Sequence, residues 1–354
     1  MKGLILAAGL GTRLRPLTSL RPKPIINVAN KPIIVHAIDN LVEAGITDIG
    51  VVISHATVDY IKDTLSHYEG ASFTYLMQDP PKGLAHAVSV ARDFLADDPF
   101  VMYLGDNLFE HGITPFVNAF KQGDVNAVLA LVHVADPRSF GVAVVEDGRV
   151  VSLVEKPKDP PSDLAVAGIY VFDKSVHKII ETLEPSARGE YEMTDAIQGL
   201  IDEGLTVTPL ETSGWWKDTG KPHELLDANR LMLQKLENSQ IDGHLENTEV
   251  IGTVVVEQGA SLKNSKVVGP AIIGKGTSIE DAYIGPYTSI GDNVKIHDAE
   301  LEYSVVERGS KITSVQHRIQ SSLIGVQVEV KGRTARPSAL QIILGDKSSA
   351  IIPE

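Results

Sequence analysis

The sequence predicts an α/β domain built on a mostly parallel sheet, followed by a left-handed parallel β-helix. Up to about residue 240, apolar runs of strand length alternate with amphipathic segments of helix length. Beyond that point aliphatic residues return at every sixth position, with glycine close behind. A chain of 354 residues that is 43% hydrophobic, with a mean hydropathy of +0.02, has apolar material for two such cores.

The strand-like runs are Leu4 to Ala8, Ile49 to Ser54, Phe73 to Met77, Phe100 to Leu104 and Val128 to Val134. Between them, Pro32 to Ala44 and Leu84 to Leu95 carry helical periodicity. That alternation makes βαβ units and a mainly parallel sheet covered on both faces. Pro222 suits a first helical position, and Leu225, Ala228, Met232 and Leu236 share a stripe, so a helix closes the first domain near residue 240. Past this helix, Val267, Ile273 and Ile279 stand six apart, as do Ile284, Ile290 and Ile296. Glycine follows an aliphatic residue at Gly252, Gly269, Gly274, Gly285, Gly291 and Gly325. One inward aliphatic residue per six is the pattern of a β-helix of hexapeptide repeats. The beat is clearest from residue 250 to 312; Arg318, Gln320 and Arg333 interrupt it, and the last twenty residues show no pattern.

A net charge of −14 and a pI near 5.2 oppose binding to a phosphate backbone, so no nucleic-acid partner is expected and any anion site must be local. The absence of cysteine excludes disulfides, thiolate zinc sites and a cysteine nucleophile. No run approaches the ~20 apolar residues that span a bilayer, and Gly3 to Ala8 is too short for a signal peptide. The expected location is the cytoplasm, with no membrane partner.

The stretch GLGTRL, residues 9 to 14, has two glycines of a dinucleotide fingerprint, but Leu14 stands where the third would be, and no G-x-x-x-x-G-K-[ST] occurs. What remains is a glycine-rich turn after the first strand, with Arg13 and Lys23 as cations around it. It reads either as a phosphate cradle or as a tight surface turn with solvated arginines. Asp106 follows a buried strand and Asp218 precedes the closing helix; each alone reads as a turn or capping residue. His36, His86 and His177 lie in helical segments without metal-ligand spacing, which makes them solvated or locally bonded histidines.

The series GLGTRLRP, RPKP with Lys23, and NKPII at Asn30 to Ile34 resembles the G-x-G-T-R…K-P signature of the sugar-1-phosphate nucleotidylyltransferases. Four further stretches fall in that family's order: QDPPKGLAHA (78–87), YLGDN (103–107), VEKP (154–157) and WWKDTG (215–220). The chain is most similar to the branch that carries a C-terminal β-helix and joins dTTP to glucose 1-phosphate. The resemblance implies a Rossmann-like nucleotidyltransferase domain over residues 1–240, then a left-handed β-helix domain with a C-terminal tail over 241–354.

In the reaction so implied, an oxygen of a hexose 1-phosphate attacks the α-phosphorus of a nucleoside triphosphate in line and pyrophosphate leaves, with no covalent enzyme intermediate. The resemblance assigns Arg13, Lys23 and Lys156 as catalytic cations, acting on the triphosphate, the attacked phosphorus and the sugar phosphate respectively. It assigns Leu6, Ala8, Gly9, Gly11, Thr12, Arg13, Gln78, Gly83 and Asp106 to the nucleotide. Gly141, Glu155, Lys156 and Gly168 fall to the sugar phosphate, and Asp106 and Asp218 to a Mg²⁺ ion. Tyr170 is either core or a sugar contact, and RGE-x-x-x-TD, Arg188 to Asp195, recurs in the family near the sugar. Trp215 and Trp216 read as pocket walls, and Arg15 and Arg21 receive no role. Pro24 departs from short-form relatives, which carry a glutamine there that can donate to the base.

Two alternatives stand beside this reading. One is a bifunctional UTP-using enzyme whose β-helix also acetylates an amino sugar, with His297 as base. The other is a regulatory subunit that binds sugar nucleotides without turnover. A homo-oligomer joined through the β-helix is expected.

Overall fold

The computed structural model describes residues 1–9, 11–19 and 21–332. The chain forms two compact units. Of the described residues, one unit takes those within Met1–Leu10, Pro22–Ile25 and Ile33–Asp218, the other those within Gly11–Arg21, Ile26–Pro32 and from Thr219 to Gly332. Arg333 and the patternless tail lie outside the described residues.

The first unit is built on a nine-stranded sheet. Its strands are β1 (Lys2–Leu6), β2 (Asp48–Ile53), β3 (Ser72–Met77), β4 (Phe100–Leu104), β6 (Ala127–His133), β7 (Gly141–Glu146), β8 (Arg149–Glu155), β9 (Leu164–Phe172) and β10 (Val207–Glu211), and a separate ribbon pairs β5 (Asn107–Phe109) with β11 (Trp216–Asp218). The spatial order is β8-β7-β9-β4-β1-β2-β3, with β6 and then β10 attached to β9. Strands β4, β1, β2 and β3 are mutually parallel, and β9 and β8 alone run against the common direction. All five sequence-predicted runs fall on these strands; β9, an apolar nine-residue strand in mid-sheet, is the one whose direction the alternating pattern could not reveal.

Adjacent residues of β1 feed opposite cores, as the two-residue period of a strand requires: Leu4 belongs to the layer that holds Met102, Leu129 and Val88, Ile5 to the layer that holds Ile38, Val51 and Tyr103. Helix α1 (Ile33–Glu43) turns Ile34, Ala37, Ile38 and Leu41 into the second of these layers. It ends where Gly45, at φ +79°, lets Ile46 N–H reach the Leu41 carbonyl at 2.9 Å. The predicted helix from Leu84 to Leu95 is interrupted: α2 (Leu84–Val90) stops at Ala91, whose φ and ψ of −87° and 2° leave the helical region, and Arg92–Leu95 forms a separate turn. Helix α3 (Met193–Asp202) covers the first layer through Met193, Ala196, Ile197 and Leu200.

The second unit holds helix α4 (Pro222–Gln234) and three ladders of parallel strands. Along one, Val256, Ile273, Ile290, Val306 and Ile324 are successive partners; along another, Leu262, Ile279, Ile296, Ile312 and Val330; along the third, Val250, Val267, Ile284, Leu301 and Ile319. The chain therefore coils through all three ladders every 16 to 18 residues, and the six-residue beat is the step from one ladder to the next. Asn247, Asn264, Asp281 and Asp298 stack at one corner with φ between 45° and 51°, a conformation Asn and Asp tolerate better than most side chains. The coil runs on through Lys331, past the weakening read at residue 312. Arg318 does not break it, because that side chain points outward over the Tyr283 ring and pairs with Glu300 and Glu302.

Candidate active site

The carboxyl edge of the parallel strands gathers most of the assigned residues of the first unit. Gly105 N–H bonds the Leu6 carbonyl at 3.0 Å, so the end of β4 lies against the end of β1, and a Cβ at Gly105 would approach that carbonyl to 2.9 Å. Ala7 and Ala8 are buried there and Gly9 is exposed. The turn after Gly105 delivers Asp106, and the β5–β11 ribbon sets Asp218 opposite Asn107. Lys23, itself only 6% exposed, reaches both carboxylates: its Nζ is 2.7 Å from Asp106 Oδ2 and 3.2 Å from Asp218 Oδ1.

Asn107 completes this cluster, and no sequence motif had given it a role. Its Nδ2 donates to Asp106 Oδ1 at 2.8 Å while Trp216 Nε1 donates to its Oδ1 at 2.7 Å. Trp216 thus orients the amide that orients the carboxylate, a more specific task than walling a pocket. Gly168, at φ +77°, passes so close that a Cβ would sit 3.1 Å from Asn107 Cγ. Desolvation would raise the Asp106 pKa, but the Lys23 ammonium and the Asn107 amide outweigh it and hold the carboxyl below its ordinary value.

The sugar-side assignments form a second cluster. Gly141 and Glu155 are register partners across β7 and β8. Lys156 follows at φ +42°, a strained backbone for a residue with a Cβ, and its Nζ is 2.8 Å from Glu155 Oε1. Arg188 also reaches Glu155, at 3.2 Å, and Glu192 at 3.1 Å, and Thr194 Oγ1 donates to Glu155 Oε2 at 3.4 Å. The RGE-x-x-x-TD stretch thereby surrounds one carboxylate. Burial, with the Glu155 charge adding to it, pushes the Glu192 carboxyl up. Tyr170 lies in the core, stacked on Phe172.

A third group lies past β3. Gln78 is 4% exposed, and its Nε2 donates to the Gly83 carbonyl at 3.0 Å. Gly83 has φ +105°, and a Cβ there would fall 2.4 Å from the Tyr191 carbonyl oxygen. The missing side chain therefore admits a neighbouring main chain, whatever else it admits.

The remaining assigned residues, Gly11, Thr12 and Arg13, belong to the second unit. Gly11 takes a left-handed conformation, φ 58°, before the single turn Thr12–Leu14, and its carbonyl accepts from Thr18 Oγ1 at 2.8 Å. Leu14 is buried while Thr12 and Arg13 are exposed, and among the described residues no carboxylate pairs with Arg13. His297 is half-exposed on the coil, its Nδ1 3.8 Å from Glu280.

Residues 2–235 match the family model described as nucleotidyl transferase. Over 359 aligned residues, 99% of each chain, the sequence is 46% identical to a glucose-1-phosphate thymidylyltransferase of Streptomyces antibioticus. It is also 46% identical, over 70% of this chain and 73% of the relative, to the low-salt glycan biosynthesis nucleotidyltransferase Agl11 of Haloferax volcanii. A crystal structure from Bacillus anthracis, described as a glucose-1-phosphate thymidylyltransferase, superposes with a TM-score of 0.62 at 40% identity, covering 65% of this chain and 94% of that one. With its strand order, its carboxylate pair and this likeness over two thirds of its length, the chain belongs to the nucleotidyl transferase family.

Proposed function

We propose that this protein transfers the thymidylyl group of dTTP to glucose 1-phosphate, giving dTDP-glucose and pyrophosphate. The observation that carries the reaction class is the convergence of Lys23 on Asp106 and Asp218 at the carboxyl edge of a parallel sheet. The choice of substrates rests on the full-length likeness to the Streptomyces antibioticus enzyme.

Both carboxylates lie within hydrogen-bonding distance of one ammonium, and with oxygen donors alone they would suit Mg²⁺ better than a softer metal. Bound there, the ion would neutralise triphosphate oxygens as charge builds on the transferring phosphorus. The chain's own residues do the rest. Lys23, fixed between the two carboxylates, offers its remaining hydrogen to a phosphate oxygen. Lys156, on its strained backbone, holds the sugar phosphate so that one oxygen faces the α-phosphorus. Glu155, held by Arg188 and Thr194, accepts from hexose hydroxyls, and Gly141 and Gly168 line that side. Arg13, with Gly9, Gly11 and Thr12, grips the triphosphate as a planar donor fork. As the oxygen–α-phosphorus bond forms, the α–β bridging bond breaks and pyrophosphate leaves. Leu6, Ala8, Gln78 and Gly83 bound the nucleoside.

The catalytic region is residues 1–240, and residues 241–354 are a left-handed β-helix domain, with a C-terminal tail, that joins subunits into a homo-oligomer. Ile241, Ile251 and Val328, exposed on it by 40%, 43% and 38%, supply apolar contact area. No helix among the described residues is long and apolar enough to cross a membrane.

A matrix of four nucleoside triphosphates against several hexose 1-phosphates, read by pyrophosphate release with and without Mg²⁺, tests the proposal. The highest kcat/KM is expected for dTTP with glucose 1-phosphate. Turnover of another pair with none of this one would overturn it.

A further inference from the structure

Gln78 is wedged at the end of β3, where its N–H bonds the Ile53 carbonyl at 2.8 Å. The orientation of its side-chain amide follows from two neighbours. The Gly83 carbonyl can only accept, so the atom 3.0 Å from it must be Nε2. The same Nε2 lies 3.1 Å from His86 Nδ1. An amide nitrogen has two hydrogens and nothing with which to accept, so His86 Nδ1 must be the acceptor and the imidazole neutral, with its hydrogen on Nε2. Burial first, and Lys82 second, lower the pKa of His86 and favour that form at neutral pH. The imidazole is held in place by the Tyr191 ring, 27° from parallel with centroids 6.2 Å apart. Tyr191 is in turn tied to the loop by its N–H to the Lys82 carbonyl and its carbonyl from Ala85 N–H. Both hydrogens of Gln78 Nε2 are thereby engaged, and Oε1 is left to meet a ligand.

We propose that His86 is a positioning residue that secures the hydrogen-bond polarity read by the nucleobase: by engaging the second hydrogen of Gln78 Nε2 it reinforces the orientation favoured by the Gly83 carbonyl, in which Gln78 presents an acceptor. An acceptor at that point suits the imide N3–H of thymine or uracil and opposes cytosine, whose N3 is itself an acceptor. This rests on the proposed function, in which Gln78 bounds the nucleoside. Without His86 the amide keeps only its bond to Gly83, so the orientation that offers an acceptor is held by one hydrogen bond instead of two.

The test measures dTTP and dCTP as substrates for wild type, His86→Leu, His86→Gln and Gln78→Ala, with His86→Met as a second apolar variant should leucine fail to fold. Loss of one neutral hydrogen bond raises KM for dTTP about 3- to 10-fold in His86→Leu, with kcat changed less than KM. The dTTP-to-dCTP ratio of kcat/KM narrows with it. His86→Gln, whose amide oxygen can accept from Gln78 Nε2, restores both values, which a merely structural histidine would not require. An unchanged ratio in both apolar variants overturns the proposal, even if their Tm falls. If Gln78→Ala leaves KM for dTTP unaltered, the assignment of Gln78 to the base is what fails, and the role of His86 fails with it.

Discussion

The basic segment between Arg13 and Lys23 contains one buried and one partly buried cation, and they meet different things. Lys23 meets Asp106 and Asp218, so these three groups together carry one net negative charge. Arg21 meets Glu307 alone, and Glu307 is saturated: Arg21 Nη2 pairs with it at 2.9 Å, and it accepts from Arg21 Nη1 at 3.4 Å, from Asn27 N–H at 3.0 Å and from Asn27 Nδ2 at 3.0 Å. The first arrangement still attracts a cation and offers an ammonium to an anion. The second is electrically closed, with side-chain exposures of 13% and 2%. Two cations of one loop thus differ in purpose because of the carboxylates that meet them, and Arg21, left without a role by the sequence, holds a structural one.

The largest expected effect breaks the open cluster. Asp218→Asn or Asp106→Asn should lower kcat by about 10²- to 10³-fold with the fold intact, since both residues sit at strand ends. Lys23→Ala sharpens the point, because it removes the ammonium that both carboxylates share. Its Tm should fall in the absence of divalent ions and rise more on adding Mg²⁺ than that of wild type. An equal Mg²⁺-induced rise in the two proteins would separate the ion from this carboxylate pair.

Breaking the closed cluster should cost stability instead. Glu307→Ala strands a buried guanidinium, and about 3–5 kcal/mol of destabilisation is expected in urea unfolding of the second unit. The double replacement Arg21→Leu with Glu307→Leu should recover part of that loss, because removing both charges also removes the desolvation cost. A loss below ~1 kcal/mol in Glu307→Ala would show that the pair is not desolvated in solution. The same contacts bear on truncation. Asn27 and Arg21 depend on Glu307, Asn30 Nδ2 on the Ile290 carbonyl, and Ala29 N–H on Asn229. A chain ending near residue 240 keeps every assigned catalytic residue and loses most of these partners, so the weak but detectable turnover that residue positions alone would predict should come with a disordered basic segment.

Arg13 extends the comparison to a cation that is exposed and meets no carboxylate among the described residues. Arg13→Ala should reduce kcat/KM about 10²-fold with little change in Tm, and Arg13→Lys should recover little of it, because a point charge does not reproduce a bidentate fork. Full recovery with lysine would mean that charge alone acts there.

These contrasts mark what the sequence could disclose. Strand positions, the six-residue beat and the placing of Asp106 after a buried strand follow from local periodicity and were legible. The partners were not. Arg21 and Glu307 are 286 positions apart, Asn107 and Trp216 are 109 apart, and no local pattern links them. Asn107 stood inside the YLGDN stretch and His86 inside QDPPKGLAHA, yet an amide or imidazole shows its task only once its neighbours fix which atom donates. The antiparallel course of β9 was hidden for a related reason: a strand buried on both faces is apolar throughout, whichever way it runs.

The smallest expected effect concerns a buried group with no ion-pair partner among the described residues. His177 is 5% exposed, its ring stacks 5.6 Å from that of Phe100, and its Nε2 has no hydrogen-bond partner among the described residues. Burial chiefly, with Arg92 adding to it, lowers its pKa from the usual 6.5, against the opposing pull of Asp97, Glu181 and Asp173. Below pH 6.5 the unfolded chain therefore binds a proton at this site that the folded chain does not, and by linkage stability falls as pH falls. One proton corresponds to at most about 1.4 kcal/mol per pH unit. His177→Phe keeps the aromatic contact and removes the titration, so its stability measured by urea unfolding should decline less than that of wild type between pH 7 and pH 5. His86, lowered in the same direction, remains in both proteins and cancels from the difference. Parallel curves would mean that His177 takes its proton in the folded state, and that its contact with Phe100 opens to water without the rest of the unit unfolding.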